Sequence, residues 1–414
     1  MADTITESKP ELTSLFDEDM DRAYQGIRGA MTQLLGALDA DPNKPQDISR
    51  RFKINKNLAW KVSRMILVSE PRQMIPNIPG HTGIETVLSA FASKGAPEAE
   101  IIAARDAFDE FDEVVRVHLG DRSTLQLALT SSTPDKVSTE HLHATRKMAY
   151  QGNSAIWGVQ ARLRLASFFI APNTDDPSMV DTASVGALID VRRLRENAGI
   201  PLFWRFSYND DGSVRDGPLP QPIAKNCAES DELMLMSAFS TSPSPEFEEI
   251  RSGSVTQYML RPGLVGNRGL QSWVFGEYVR GFASKYRDEQ NEFGEHALPI
   301  SVPTEWLICD LQVHQDFAFA FDPNVYAHAF FGGDSTRVTE SELTQLPLSE
   351  RVQSIGSNPP VVATPLMPDY PEIVDCVYQR LGWKSKEFVG YRFLMKYPPL
   401  HANIIVQHGL CEQP

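Results

Sequence analysis

The stretch Gln46–Ile66 (QDISRRFKINKNLAWKVSRMI) constrains this chain more than any other: two short amphipathic segments flank a tight polar connection. Asp47 can cap a first helix running to Phe52, its carboxylate accepting from the free backbone N–H groups of the first turn. Ile48 and Phe52 stand four apart and share one face of that helix. Ile54 is the apolar residue of the connection, and Asn55 or Asn57 can cap a second helix in which Ala59, Val62 and Ile66 recur at spacings of three and four. Folded on each other, the two helices close a small core from Ile48, Phe52, Ile54, Ala59 and Val62. Arg50, Arg51, Asn55, Lys56, Asn57, Lys61 and Arg64 are left outside it.

That order of apolar, small and polar positions resembles the helix-turn-helix of bacterial and phage repressors. Ser49 stands at the small-residue position of the first helix. Lys53 departs from the pattern, standing where glycine is usual, so the turn needs either a left-handed lysine, at a cost of about 1 kcal/mol or more, or a wider loop. The resemblance covers the 21 residues of the motif, and extends to residues 24–66 if the amphipathic segment Tyr24–Leu38 is the preceding helix of a three-helix unit. It implies double-stranded DNA as partner. Arg50, Arg51 and Lys44 would then sit on phosphates, with Asn55, Lys56, Asn57, Lys61 and Arg64 on or near the groove face and Trp60 beside them.

Charge points the same way. Lys44–Ile66 carries seven basic residues against one acid, a local net of +6 in a chain of net charge −15, so the remainder sums to −21. A basic island on an acidic protein is the footprint of phosphate contact confined to one module. The same pattern also describes a three-helix packing unit whose basic face is solvated or touches another protein.

At 414 residues the chain exceeds one compact core, and two or three domains are expected. No apolar run approaches membrane-spanning length, and the first residues lack a signal-peptide core. Cys227, Cys309, Cys376 and Cys411 are widely spaced, with neither a zinc pattern nor a disulfide framework. The expectation is a cytoplasmic protein with reduced thiols.

In chain order, Met1–Asp21 reads as a polar, acidic, mobile tail, and residues 22–68 as the helix-turn-helix unit. Glu70–Gly83 reads as an irregular connector and Ile84–Ser93 as a helix. From Pro97 to Gly120 runs the longest clear helix, with Ile101, Ala104, Phe108, Phe111 and Val115 at alternating spacings of three and four. That seam calls for a partner, either Ile84–Ser93 or the same helix of a second copy, which would make residues 97–119 a dimerisation helix and place two reading helices about 34 Å apart. A further helix spans Thr139 to Trp157 and completes a helical region 69–158.

From Val159 the period becomes two: Arg162–Leu165, Leu307–Val313, Tyr391–Tyr397 and Leu400–Val406 alternate, which implies antiparallel sheet with one wet face. Long connectors are expected at Ala171–Asp181, Tyr208–Pro222, Ser240–Glu246 and Gly332–Pro360, the last with room for a short helix, and a helix at Asp369–Leu381. The fold class is therefore α+β: an all-helical N-terminal region followed by a mostly antiparallel β-rich region, 159–414, with a few helices and room for two subdomains.

Other chemistry is sparse. His141 and His143 lie two apart on a helix and point away from each other. Asp310 and His314 share a strand face about 13 Å apart, and His314 with Asp316 about 7 Å apart; only the second pair is close enough to share an ion. Gly332–Thr336 can bind an anion through backbone amides or simply turn, and Trp204, Trp273, Trp306 and Trp383 can line an apolar pocket or fill a core. No phosphate loop, nucleophile elbow or metal motif is present. No catalytic residue, metal or cofactor is assigned. The reading is a sequence-specific DNA-binding transcriptional regulator, a homodimer, whose β-rich part senses a small-molecule effector or oligomerises. An interaction protein using the helical unit for protein contacts, or an enzyme sited in the β region, are the alternatives.

Overall fold

The computed structural model describes residues 11–69, 74–131, 139–206, 218–224, 234–242, 247–252, 255–288, 292–329 and 344–413, without the side chains of 11–14, 129–131, 139–141, 200–206, 251–252 and 255–257. The fold is α+β, with helices first and a large sheet region after. Two compact units meet at Thr133 and Pro134, so the division falls ahead of residue 158 and groups the helix Thr139–Trp157 with the sheets.

The first unit is helical: α1 (Glu11–Ala37), α2 (Pro45–Phe52), α3 (Lys56–Leu67), α4 (His81–Ala92), α5 (Glu98–Leu119) and α6 (Arg122–Ser131). α1 starts well before the expected Tyr24, inside the stretch read as a tail. The reason is packing: Phe16, Met20 and Ala23 extend the stripe of Tyr24, Ile27, Met31, Leu34, Leu35 and Leu38 into the same core, and a buried apolar face outweighs polar composition.

The seam of α5 is fully used inside this unit. Ile101, Ala104, Phe108, Phe111 and Val115 are buried, and their principal partner is α1 rather than Ile84–Ser93 or a second copy. The early start of α1 gives it the length to cover that seam. α4 joins from the side through Arg105, whose guanidinium grips both oxygens of Glu85 at 3.0 and 3.1 Å. Ahead of α4 the connector is a single turn of 3₁₀ helix at Ile75–Asn77, and residues 70–73 lie outside the described residues.

The second unit opens with α7 (Thr139–Trp157) and a long hairpin, β1 (Val159–Pro172) and β2 (Met179–Arg193). The connector expected at Ala171–Asp181 shrinks to six residues. Asn173 closes the turn, its side-chain oxygen accepting from the amides of Asp175 and Asp176 at 2.8 and 2.7 Å. Asp181 is inside the strand, buried, and held by Asn173 Nδ2 at 2.6 Å, Arg280 at 2.5 Å and the Gly281 amide at 2.8 Å.

The remaining strands are β3 (Ile200–Phe206), β4 (Gln221–Pro222), β5 (Phe247–Ser252), β6 (Val255–Leu260), β7 (Gln271–Ser284), β8 (Phe293–Pro299), β9 (Thr304–His314), β10 (Asn324–Ala329), β11 (Gln353–Ser357), β12 (Phe388–Lys396) and β13 (Ala402–Gly409). They form a seven-stranded sheet in the order β11-β12-β9-β1-β2-β7-β4 and two three-stranded sheets, β10-β13-β8 and β3-β6-β5. Among the described strands the pairings are antiparallel except β1 with β9. β11 lies in the later part of Gly332–Pro360, and the residues of that stretch up to 343, with the room for a short helix, lie outside the described ones.

The central sheet has no wet face over β1 and β9. One side carries α8 (Tyr370–Leu381), whose Ile373, Val377, Tyr378 and Leu381 meet Leu163, Leu165, Phe169 and Ile308. The other side carries the β10-β13-β8 sheet, whose Ile404 and Val406 meet Cys309, Leu311 and Phe393. The polar members of the alternation are therefore buried and paired. Asp310 takes both donors of Arg392 at 2.9 and 2.8 Å and the Tyr370 hydroxyl at 2.8 Å, while Gln312 accepts from Tyr378 at 2.5 Å. A wet face was expected because a paired polar residue and a solvated one look alike in sequence.

Candidate nucleic-acid interface

α2 begins at Pro45 rather than at an Asp47 cap. Proline at the first helical position forfeits an N–H that has no partner there, and Lys44 precedes it as the flanking residue. Asp47 falls in the first turn, where its charge complements the helix dipole and pairs with Arg50 at 2.6 Å. Ile48 and Phe52 are buried, and the Phe52 ring meets Phe91 of α4 edge-on, centroids 4.5 Å apart.

The connection takes the tight form. Lys53 is left-handed, φ 56° and ψ 35°, so the lysine adopts the backbone conformation that glycine usually supplies. Ser49 compensates from the preceding helix, its hydroxyl donating to the Ile54 carbonyl at 2.8 Å. Asn55 caps α3, its side-chain oxygen accepting from the Asn57 amide at 2.8 Å. That oxygen is engaged, so of the two asparagines Asn57 has the side chain free for the paired donor-and-acceptor contact that reads adenine.

One face of α3 is locked down: Ala59, Val62, Ser63, Met65 and Ile66 are buried. Its far end is tied to α1, since Tyr24 Oη donates to the Val68 carbonyl and Arg28 Nε to that of Ile66. These side chains satisfy carbonyls that a helix end leaves without partners. The opposite face shows Lys56, Asn57, Trp60, Arg64 and Leu67 to solvent. Trp60 is 46 % exposed, and the Arg64 guanidinium lies over its ring at 5.8 Å. Lys61 sits at the edge of the face, half-buried.

The flanking cations differ in availability. Arg50 is exposed but engaged with Asp47, and Lys44 lies 3.7 Å from Asp41. Arg51 is exposed, hydrogen-bonds the Asp39 carbonyl at 2.9 Å and covers the Phe52 ring. Among the described residues, Lys53, Lys56, Lys61 and Arg64 have no carboxylate partner. Sequence reasoning did not place Lys53 or Leu67 on this surface. Leu67 stands seven residues after Trp60, so the helical period was the signal that could have found it.

Elsewhere the chemistry disperses. His143 is 3.7 Å from Glu350, and the His141 side chain lies outside the described residues, as do Trp204, Cys227 and Gly332–Thr336. His314 has Asp316 and Glu387 each at 3.5 Å, but Asp316 is largely exposed and the group sits at the surface. Among the described residues no three His, Cys, Asp or Glu side chains converge as a metal site, and no helix is long and apolar enough to cross a membrane. Cys309, Cys376 and Cys411 are free thiols. Trp273 is fully buried in one core cluster, while Trp306 and Trp383 are half-buried against another.

Comparison of the chain with family models, with curated proteins and with solved structures finds no match.

Proposed function

We propose that the helical unit binds double-stranded DNA in the major groove through α3, and that the protein is a transcriptional regulator acting at particular DNA sequences. One observation carries the reading: α3 is fixed to its unit along one face while the other offers Lys56, Asn57, Trp60 and Arg64, free of carboxylate partners among the described residues. A helix with its side chains is roughly 10–12 Å across, and the groove is about 12 Å wide. In this reading Arg51 and Lys53 meet phosphates beside the groove, and Arg50 and Lys44 join them by exchanging exposed carboxylates for phosphate. The second unit is the sensor or oligomerisation domain, assigned from domain order. With the α5 seam occupied, any pairing of two copies on a palindromic site uses another surface.

The measurement is fluorescence anisotropy on a labelled random-sequence duplex across a salt series. About four phosphate contacts give a log–log slope near −3.6. Arg51→Ala with Lys53→Ala should bring the slope to about −1.8 and weaken binding throughout. No salt dependence, or a double variant that binds like the parent, refutes the reading, and selection from a random pool then identifies the preferred site. A protein-contact role is the second reading, favoured by the 46 % and 45 % exposure of Trp60 and Leu67 on the same face; Trp60→Ala abolishing association with a partner protein while leaving DNA retention intact would select it.

A further inference from the structure

In the second unit, the edge of the central sheet and α8 enclose a cleft of about 430 Å3. Its wall is built on β7. Ile223 donates its amide to the Gly276 carbonyl at 3.0 Å, Gly276 donates to Met234 at 3.0 Å and Met236 to Val274 at 2.8 Å. Ser240 locks the return, accepting from the Val274 amide and donating to the Met236 carbonyl, both at 3.0 Å. The wall is close-packed at Gly276, where a Cβ would lie 2.8 Å from Met236 Sδ and 3.1 Å from Ile223 Cδ1. This backbone lacing fixes the cleft before any ligand arrives.

The lining is apolar on the sheet side, through Ile223, Leu235, Met236 and Phe239, and mixed on the helix side, through Cys376, Gln379 and Arg380. Arg380 is the informative residue. Its guanidinium lies 5.6 Å over the Tyr278 ring, and Tyr278 is itself anchored by its hydroxyl to Gln221 at 2.6 Å. Yet Arg380 Nε is buried with no hydrogen-bond partner, and among the described residues no carboxylate pairs with the side chain. A cation lining an apolar hollow, with one of its donors left without a partner, favours an anionic group on the ligand. The size lies within the roughly 300–1,000 Å3 of pockets that take small organic ligands.

We infer that this cleft binds a small amphipathic monocarboxylate, its apolar body on Ile223, Met236 and Phe239 and its carboxylate on Arg380. The inference stands whether or not the helical unit binds DNA. The test uses the full chain with decanoate and 1-naphthoate as probes and 1-decanol and 1-naphthol as their neutral counterparts, followed by calorimetry. Saturable one-to-one binding of at least one acid is expected, at least about tenfold tighter than its neutral counterpart, and Arg380→Gln should remove that difference. Ala238→Trp, which fills the cleft from its exposed wall, should abolish binding. Because Cys376 lines the same hollow, a bound acid should also slow its alkylation several-fold, read by mass spectrometry on the Cys376 peptide, and should not do so in Arg380→Gln. Binding of neither acid, equal affinity for acid and alcohol, or an unprotected Cys376 at saturation each overturns the inference.

Discussion

Replacing Asp310 by Asn should cost the second unit about 4 kcal/mol, within the roughly 3–5 kcal/mol seen when one partner of a buried ion pair is removed. Asp310 is fully buried and the Arg392 side chain only 13 % exposed. Two donors from Arg392 and one from Tyr370 converge on the carboxylate within 2.8–2.9 Å. An amide keeps the shape but has one acceptor oxygen, turns an N–H₂ toward a guanidinium, and leaves that cation buried without its counter-charge. The pair itself need contribute little, because desolvating both ions offsets most of their attraction. Asp310→Leu, Tyr370→Phe and Arg392→Met together should therefore recover stability to within about 1 kcal/mol of the parent. Urea unfolding followed by tryptophan emission reports this unit, since five of the six tryptophans lie beyond Thr133. With an m-value near 3 kcal/mol/M, the single substitution lowers the midpoint by roughly 1.3 M. A shift equivalent to less than about 1 kcal/mol, or a triple variant no better than the single, would show that the network is not holding α8 to the sheet by paired charge.

Lys53→Gly should stabilise the helical unit by roughly 0.5–1 kcal/mol, the relief of a left-handed side chain less the added freedom of the unfolded glycine; thermal unfolding at 222 nm measures it, and a loss of stability would mean that the lysine side chain supports the turn. His296 is held neutral: burial, and then the neighbouring His408, push its imidazole down to about 3, and it stacks on Phe168 with centroids 4.7 Å apart. Since the folded value lies below the ordinary 6.5, its effect on stability is absent above pH 6.5, and the unfolded chain gains the proton first as pH falls. At pH 4.5 the penalty is about 2–3 kcal/mol, so His296→Leu should narrow the gap in urea midpoint between pH 7 and 4.5 by roughly 0.7–1 M at an m-value near 3 kcal/mol/M; an unchanged gap would place the acid sensitivity elsewhere.

The pair of short helices α2 and α3 was legible because it is local. Ile48, Phe52, Ile54, Ala59 and Val62 close their cluster at short sequence separation, and the helical period alone predicts which face they share. The same period put Ile101–Val115 on one face of a long helix and Ile373, Val377 and Leu381 on another. Asn55 was legible as a cap for the same reason, whereas the conformation of Lys53 was one of two that the residue order allowed.

Partners distant in sequence were not legible. Period three-and-four says that the α5 seam must be buried but not by what, and only the tertiary structure chose α1, begun a dozen residues before the apolar spacing stood out. Period two says that Asp310 and Gln312 share a face of β9, but the partners that let that face be buried, Arg392, Tyr370 and Tyr378, come from residues 60 to 82 positions away. The 430 Å3 cleft has no counterpart in sequence at all, because a hollow is made where two surfaces fail to meet. Amphipathic period fixes the direction in which each side chain points; what it meets there is settled when distant segments compete for the same apolar area, and that competition is decided in three dimensions.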